Sequence, residues 1–318
     1  MISRRSFLSA GAASIASLLL VGKNKETHAQ QPPGEKSSRG TKLILLGTMG
    51  GARISKIRSS LSQVIVVNDQ LYVVDCGYGV ARQLVLADCD LKKLKCIFIT
   101  HHHDDHNFDF GNLLQVAKMS GLREKVKAYG PYPLKKMFQL YLEMNDYSFN
   151  TYQAQLEMIP LDKITEVQEV VKGGSVMQDE NVKVSCVFVI HPPIPAFGFR
   201  FDTKDRSITI SGDTVFCPEL VELAKGSDVL VHEVTYKPAI EQMGQRLPQY
   251  KGLVKFLLEA HTPVEEAGKV AQEAGVKTLV LTHFVPGDDP KITDEMWAEG
   301  AAKFFKGKVI VGKDLMVV

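Results

Sequence analysis

Six apolar, strand-like runs in this 318-residue chain each lead into a residue type that binds metals. Leu71-Tyr72-Val73-Val74 is followed by Asp75, Cys96-Ile97-Phe98-Ile99 by Thr100 and His101, and Cys186-Val187-Phe188-Val189-Ile190 by His191. In the second half, Ile208-Thr209-Ile210-Ser211-Gly212 leads to Asp213, Asp228-Val229-Leu230-Val231 to His232-Glu233, and Leu279-Val280-Leu281-Thr282 to His283. Short runs rich in β-branched residues, alternating with helical patterns, predict an α/β layer architecture. Sites in such folds sit at the carboxyl ends of strands, so six deliveries predict one shared centre.

Two helices support this order. Phe110, Leu113, Leu114 and Ala117 fall at the spacing of one helix face, and Gly121 closes that helix. Thr262-Pro263-Val264-Glu265 predicts an N-cap, a first-turn proline and a capping-box glutamate, with Gly275 ending the helix before the strand that carries His283.

The segment Thr100-His101-His102-His103-Asp104-Asp105-His106 holds four of the nine histidines of the chain. A tight loop at a strand end can turn His101 and His103 one way and Asp105 and His106 another, which suits two neighbouring metals better than one. This His-x-His-x-Asp-His wording resembles the metallo-β-lactamase superfamily. The resemblance runs from the strand near Lys42 to the closing Val311-Gly312-Lys313-Asp314-Leu315-Met316, and it implies a four-layer αββα sandwich.

Carried over residue by residue, the resemblance implies that His101, His103 and His191 hold one zinc. It gives Asp105, His106 and His283 to a second zinc, makes Asp213 the bridge between them, and has Asp75 orient the ligand loop. Nitrogen and carboxylate donors without thiolate suit zinc, and manganese or iron fit the same shell. His102 and Asp104 are expected to point elsewhere. Asp213 stands where one β-lactamase branch has cysteine, and His103 stands where di-iron relatives have glutamate, so both of those classes are disfavoured. Two metals sharing a hydroxide imply hydrolysis, with Asp105 orienting the hydroxide as well as binding metal.

His232-Glu233-Val234-Thr235 followed by His261-Thr262-Pro263 resembles the paired signature of the ribonuclease Z branch. That likeness implies a Glu233–His261 carboxylate–imidazole pair acting on the leaving group.

Composition and charge bear on substrate and compartment. With 45% hydrophobic and 23% charged residues the chain is an ordinary globular protein with a real core. The five cysteines, Cys76, Cys89, Cys96, Cys186 and Cys217, read as buried thiols; a Cys89–Cys96 bridge is left open. Ser3-Arg4-Arg5-Ser6-Phe7-Leu8, an apolar run to Val21 and Thr27-His28-Ala29 resemble a twin-arginine signal over residues 1–29, which implies the export machinery as a partner and a periplasmic location. The run is too short and too rich in small residues for a stable membrane anchor. Residues 30–40 read as a polar linker and 41–318 as the catalytic domain.

Without residues 1–29 the basic count falls from 38 to 34 and the acidic count from 36 to 35, a net charge of −1. Only 22 residues separate His191 from Asp213, leaving no room there for the tRNA-gripping arm of ribonuclease Z. On these grounds nucleic acid is excluded, and a small ester, aryl by preference, is expected as substrate. Tyr129, Tyr132, Phe138, Tyr141, Tyr147, Phe149 and Tyr152 crowd the start of an aromatic-rich helical insert at about 131–160 and are expected to supply both core packing and part of a pocket.

The resulting expectation is an exported dizinc hydrolase of small sulfate or phosphate esters, arylsulfatase-like. The alternatives are a lactonase or other carbonyl-centre hydrolase on the same metals, and a non-catalytic metal-binding module. A homodimer is left open.

Overall fold

The first strand shows why the chain forms layers. In β1 (Lys42–Gly47), Leu43 and Leu45 face one side and Ile44 and Leu46 the other, and all four are buried. A strand that buries both faces must lie between two apolar layers, which is why these runs read as continuously hydrophobic. The computed structural model describes residues 40–318; the expected export signal and nearly all of the linker lie outside the described residues. No helix among the described residues is long and apolar enough to cross a membrane.

The first sheet comprises β1, β2 (Ser62–Val67), β3 (Gln70–Val74), β4 (Leu94–Phe98), β5 (Val126–Gly130) and β6 (Thr165–Glu169) in chain order. β14 (Met316–Val317) is added beside β1. Strands β1 to β3 pair antiparallel and β3 to β6 parallel. The second sheet runs from β7 (Gly174–Gln178) through β8 (Val182–Val189), β9 (Ala196–Thr203), β10 (Ser207–Ile210), β11 (Val229–Thr235) and β12 (Thr278–Val285) to β13 (Lys308–Val311). It too begins antiparallel and turns parallel from β10 onward. Strands β8, β10, β11 and β12 therefore point the same way and share one carboxyl edge.

The two sheets face each other across an aromatic core. Phe98 stacks on Tyr129 at 5.3 Å and meets Phe199 and Phe201 edge-on at 5.5 and 5.1 Å, pairs worth about 0.5–1.5 kcal/mol each beyond their burial. Helices cover the outer faces: Val80–Leu86, Phe110–Met119 and Leu134–Met144 on the first sheet, and Pro218–Ala224, Val264–Ala274 and Asp294–Ala302 on the second. This is the four-layer α/β arrangement expected from the sequence.

Phe110, Leu113, Leu114 and Ala117 are all buried in their helix, as the spacing predicts. The other helix departs from expectation at its start: it begins at Val264, and the Thr262 hydroxyl, expected to cap it, instead donates to the Thr214 carbonyl. Gly275 ends it in the left-handed conformation at φ 63°. The five cysteines are free thiols, and Cys89 and Cys96 are not bridged.

The aromatic-rich segment does not act as a unit. Tyr129 lies in the inter-sheet core, and Phe138 packs under the outer helices with Tyr141 and Phe149 at its margin. Tyr132 and Tyr147 face solvent at 72% and 83% exposure.

Candidate metal centre

Asp75 follows β3 at a positive φ of 60°, and its carboxylate reaches across to the next parallel strand. There it accepts from the Thr100 N–H at 2.8 Å, the Thr100 hydroxyl at 2.9 Å and His106 Nδ1 at 2.8 Å. Thr100 Oγ1 in turn lies 3.0 Å from His101 Nδ1. One aspartate thereby sets the orientation of two imidazoles, each with its Nε2 turned to the interior. The loop passes closely enough that a Cβ on Gly77 would come within 2.5 Å of the Asp105 carbonyl, so only glycine fits there.

From the second sheet, His191 donates Nδ1–H to the Ala260 carbonyl at 2.7 Å and turns Nε2 to within 3.0 Å of His103 Nδ1. His101 Nε2 lies 3.0 Å from the same His103 nitrogen. Burial pushes His101 well down, His103 down and His191 to about 4, so all three are neutral with lone pairs available. Three lone pairs converging with Asp213 suit a cation between them far better than one another.

Asp213 is the hub. Its Oδ2 lies 3.3 Å from His106 Nε2, 3.2 Å from His283 Nε2, and 3.7 Å from both His101 Nε2 and His261 Nδ1. Burial alone would raise its pKa, yet His106 and His283 hold it well below the usual carboxylate range. Asp105 Oδ2 accepts from the Gly51 N–H at 2.7 Å and sits 3.2 Å from His283 Nε2. Asp105, His106 and His283 form a second group of metal-ligand type.

A β-bulge aims His283. Across the parallel pair, Glu233 faces Thr282 and Val234 faces Phe284, so His283 is the extra residue, at φ 47°. A Cβ on Gly50 would sit 2.7 Å from its ring, so the glycine lets the two segments close.

Buried His106 Nε2, Asp213 Oδ1 and His283 Nδ1 have no hydrogen-bond partner, a cost that native interiors rarely carry unless another group satisfies the atom. Imidazole and carboxylate donors clustered in this way fit a pair of divalent cations.

Glu233 and His261 lie alongside. His261 Nδ1 is 3.0 and 3.1 Å from the two Glu233 oxygens, and Glu233 Oε1 also accepts from the Thr214 N–H at 2.8 Å. Burial would lower the His261 imidazole, but Glu233 and Asp213 outweigh it and push it up to about 9. The Thr235 N–H bonds the Thr262 carbonyl at 2.8 Å and so holds the His261 loop against β11.

The structure brings all seven expected ligands and the Glu233–His261 pair into one cluster. His102 turns away to the Pro131 carbonyl at 2.9 Å. The aromatic ring against the site is not from the expected insert: Phe256, on the helix Lys251–Ala260, meets His103, His191 and His261 at 5.8, 5.8 and 5.7 Å. Its only signal in the sequence is its place one turn and a half before His261. The bulge at His283 and the glycine approaches left no signal at all.

Comparison with known proteins adds a family. Residues 71–284 match the model described as Beta-lactamase superfamily domain. Ribonuclease Z of Mycobacterium bovis BCG is 31% identical over 277 residues, covering 86% of this chain and 96% of the relative. Ribonuclease Z of Mycobacterium marinum is 31% identical over 280 residues with the same coverage. Among solved structures, the metallo-beta-lactamase fold protein YhfI of Bacillus subtilis has TM-score 0.64 at 20% identity, covering 87% of this chain and 98% of its own. The short form of human tRNase Z has TM-score 0.63 at 23% identity, with the same coverage.

These relatives overturn the expected partner set, a small aryl ester with nucleic acid excluded, because a ribonuclease by its name acts on RNA. The exclusion used the net charge, a sum over the whole molecule, and the short His191–Asp213 interval, which bears on one arm and not on RNA as a class, whereas a polyanion responds to the local field.

Proposed function

From the premise that this chain belongs to the metallo-β-lactamase superfamily and is a metal-dependent hydrolase with ribonuclease Z relatives, we propose that it hydrolyses phosphodiesters, RNA included. The observation that carries this reading is the buried Glu233–His261 pair at 3.0 Å: both residues also fall in a group of metal-ligand type with Asp213 and His283, but the seven expected ligands are complete without them and their mutual contact positions a proton donor.

His101, His103, His191 and Asp213 would hold one cation, and Asp105, His106 and His283 the other, with Asp213 shared; zinc is the proposed metal. Such a pair supplies Lewis acidity and a water that ionises near neutral pH. The chain's own residues do the rest. Asp75 and Ala260 fix the imidazole tautomers. Asp105, anchored by the Gly51 N–H, orients the nucleophile. Glu233 takes the proton-bearing Nδ1 of His261 and leaves Nε2 to hand a proton to the departing oxygen. Phe256 meets the His261 ring edge-on at 5.7 Å.

The same tetrahedral clamp accepts sulfate esters, so the test is a panel on zinc- and manganese-loaded protein. It comprises a short RNA, bis-p-nitrophenyl phosphate, p-nitrophenyl sulfate, p-nitrophenyl acetate and an acyl lactone, compared by kcat/KM. Dominance of the two phosphodiesters is expected; a leading rate on sulfate, acetate or lactone would retire the reading. Twin-arginine export to the periplasm is proposed on the signal-like residues 1–29, and an Arg4→Lys/Arg5→Lys chain that still reached the periplasm would end that part.

A further inference from the structure

Three of the large apolar side chains left to solvent converge on one hollow. Ile54, Phe108 and Tyr78 are 76%, 63% and 54% exposed, and together they line a hollow of about 200 Å³ that also touches exposed Asp104 and the buried Asp105 of the centre. Scattered surface apolar residues need no explanation, but a cluster against a reaction centre does. We propose that this hollow is a nucleobase-stacking subsite, which takes the base of the nucleoside that stays on the phosphorus when the phosphodiester is cut. The inference rests on the phosphodiesterase reading and names the substrate class within it.

The rings are arranged for an insert. Tyr78 and Phe108 stand 6.3 Å apart, centroid to centroid, with their planes at 70°, so a flat ring lying on one meets the other edge-on, both favourable geometries.

Both rings are held by the segments that build the centre. Tyr78 follows Gly77, the residue that passes under Asp105, and Phe108 closes the short helix carrying Asp105 and His106, its N–H bonded to the Asp104 carbonyl at 3.0 Å. Ile54 lies three residues after Gly51, whose N–H holds Asp105. A ligand in the hollow is therefore registered to the reacting centre and not to a mobile rim.

A second hollow of about 150 Å³ shares Ile54, Ser60 and Tyr78 with the first and adds Arg82. Among the described residues Arg82 makes no ion pair, whereas the nearby Arg53 pairs with Asp288 and Arg58 is spent on Thr48, Gly287 and Gly312. A cation one step beyond a stacking pocket matches the base-then-phosphate order of a nucleotide and has no counterpart in a simple alkyl ester.

The test uses the full chain and two diesters that share p-nitrophenolate as leaving group: thymidine 5′-(p-nitrophenyl phosphate) and methyl p-nitrophenyl phosphate. The kcat/KM ratio of the first to the second should fall about five- to a hundredfold in Tyr78→Ala and in Phe108→Ala, the size of one lost stack, with KM carrying the change. Tyr78→Phe should restore it. Zinc-loaded protein should quench the fluorescence of 2-aminopurine riboside 5′-monophosphate, and Tyr78→Ala should abolish the quenching. An unchanged ratio together with no quenching by the parent protein would overturn the subsite. If the parent protein cleaves neither diester, the phosphodiesterase reading fails, and the quenching titration still decides the pocket by itself.

Discussion

The floor of the site and its rim are built by opposite means. On the floor, His101, Asp75, His106, Asp213, Glu233 and His283 are almost wholly withdrawn from water, and each is held by at least one contact from another segment of chain. At the rim, Tyr78 and Phe108 keep much of their surface free and Phe256 is half-buried, and the contacts of all three are mainly between rings. Burial in a low-dielectric interior makes each floor contact strong and each missing partner costly. The rim gains from apolar contact, which varies with the ligand. Chemistry should therefore collapse when the floor is cut and shift by degrees when the rim is.

The largest effect is expected at the hub. Asp213→Ala should lower kcat/KM by more than about a thousandfold, because charge stabilisation of the transition state is the main catalytic term and this carboxylate stands among His101, His103 and His191 while lying within 3.3 Å of His106 and His283. Metal content by mass spectrometry should fall below two ions per chain; a variant that kept two ions and its rate would contradict the hub.

Next comes the pair beside it. His261→Ala should cost about a hundred- to ten-thousandfold on a diester with an alkoxide leaving group and far less with p-nitrophenolate, which needs no proton. Equal losses on both would remove His261 as a donor and return the Glu233 contact to a structural role.

One step farther from the reacting atoms, Asp75→Asn keeps the shape and removes the charge that fixes His106. Metal affinity should weaken about ten- to a hundredfold, read by competition with a chelating dye. An unchanged affinity would mean that packing alone orients the ring.

The smallest effect belongs to the rim. Phe256→Ala should lower kcat/KM less than about tenfold and leave the melting temperature almost unmoved, since the ring is only half-buried. A loss as large as that of His261→Ala would erase the contrast between floor and rim.

Legibility in the sequence divides along the same line. The segment His101–His106 packs its donors into six residues, so its wording was readable without any knowledge of the fold. His191 and Asp213 were readable because each lies just past an apolar strand, and His283 because it interrupts one; a run buried on both faces has no other place for a polar side chain. Phe256 was not readable: its role depends on where the helix Lys251–Ala260 lies against three imidazoles, and nothing in local pattern encodes that. The aromatics expected around 131–160 divide in the same way: Phe149 lines a hollow of about 610 Å³ built by that segment, whereas Tyr132 and Tyr147 face solvent, since composition locates rings in the chain and not in space.

What the sequence determined alone is therefore the inventory: two layered sheets, the donors at their edges and the residue types suited to hydrolysis. Only the tertiary structure decided the aim of each group. The bulge that turns His283 inward, the close pass at Gly50 and Gly77, and the hollow of Ile54, Tyr78 and Phe108 all arise where segments distant in sequence meet. Propensity and periodicity act along the chain, whereas distance and angle between donors are set by packing across it.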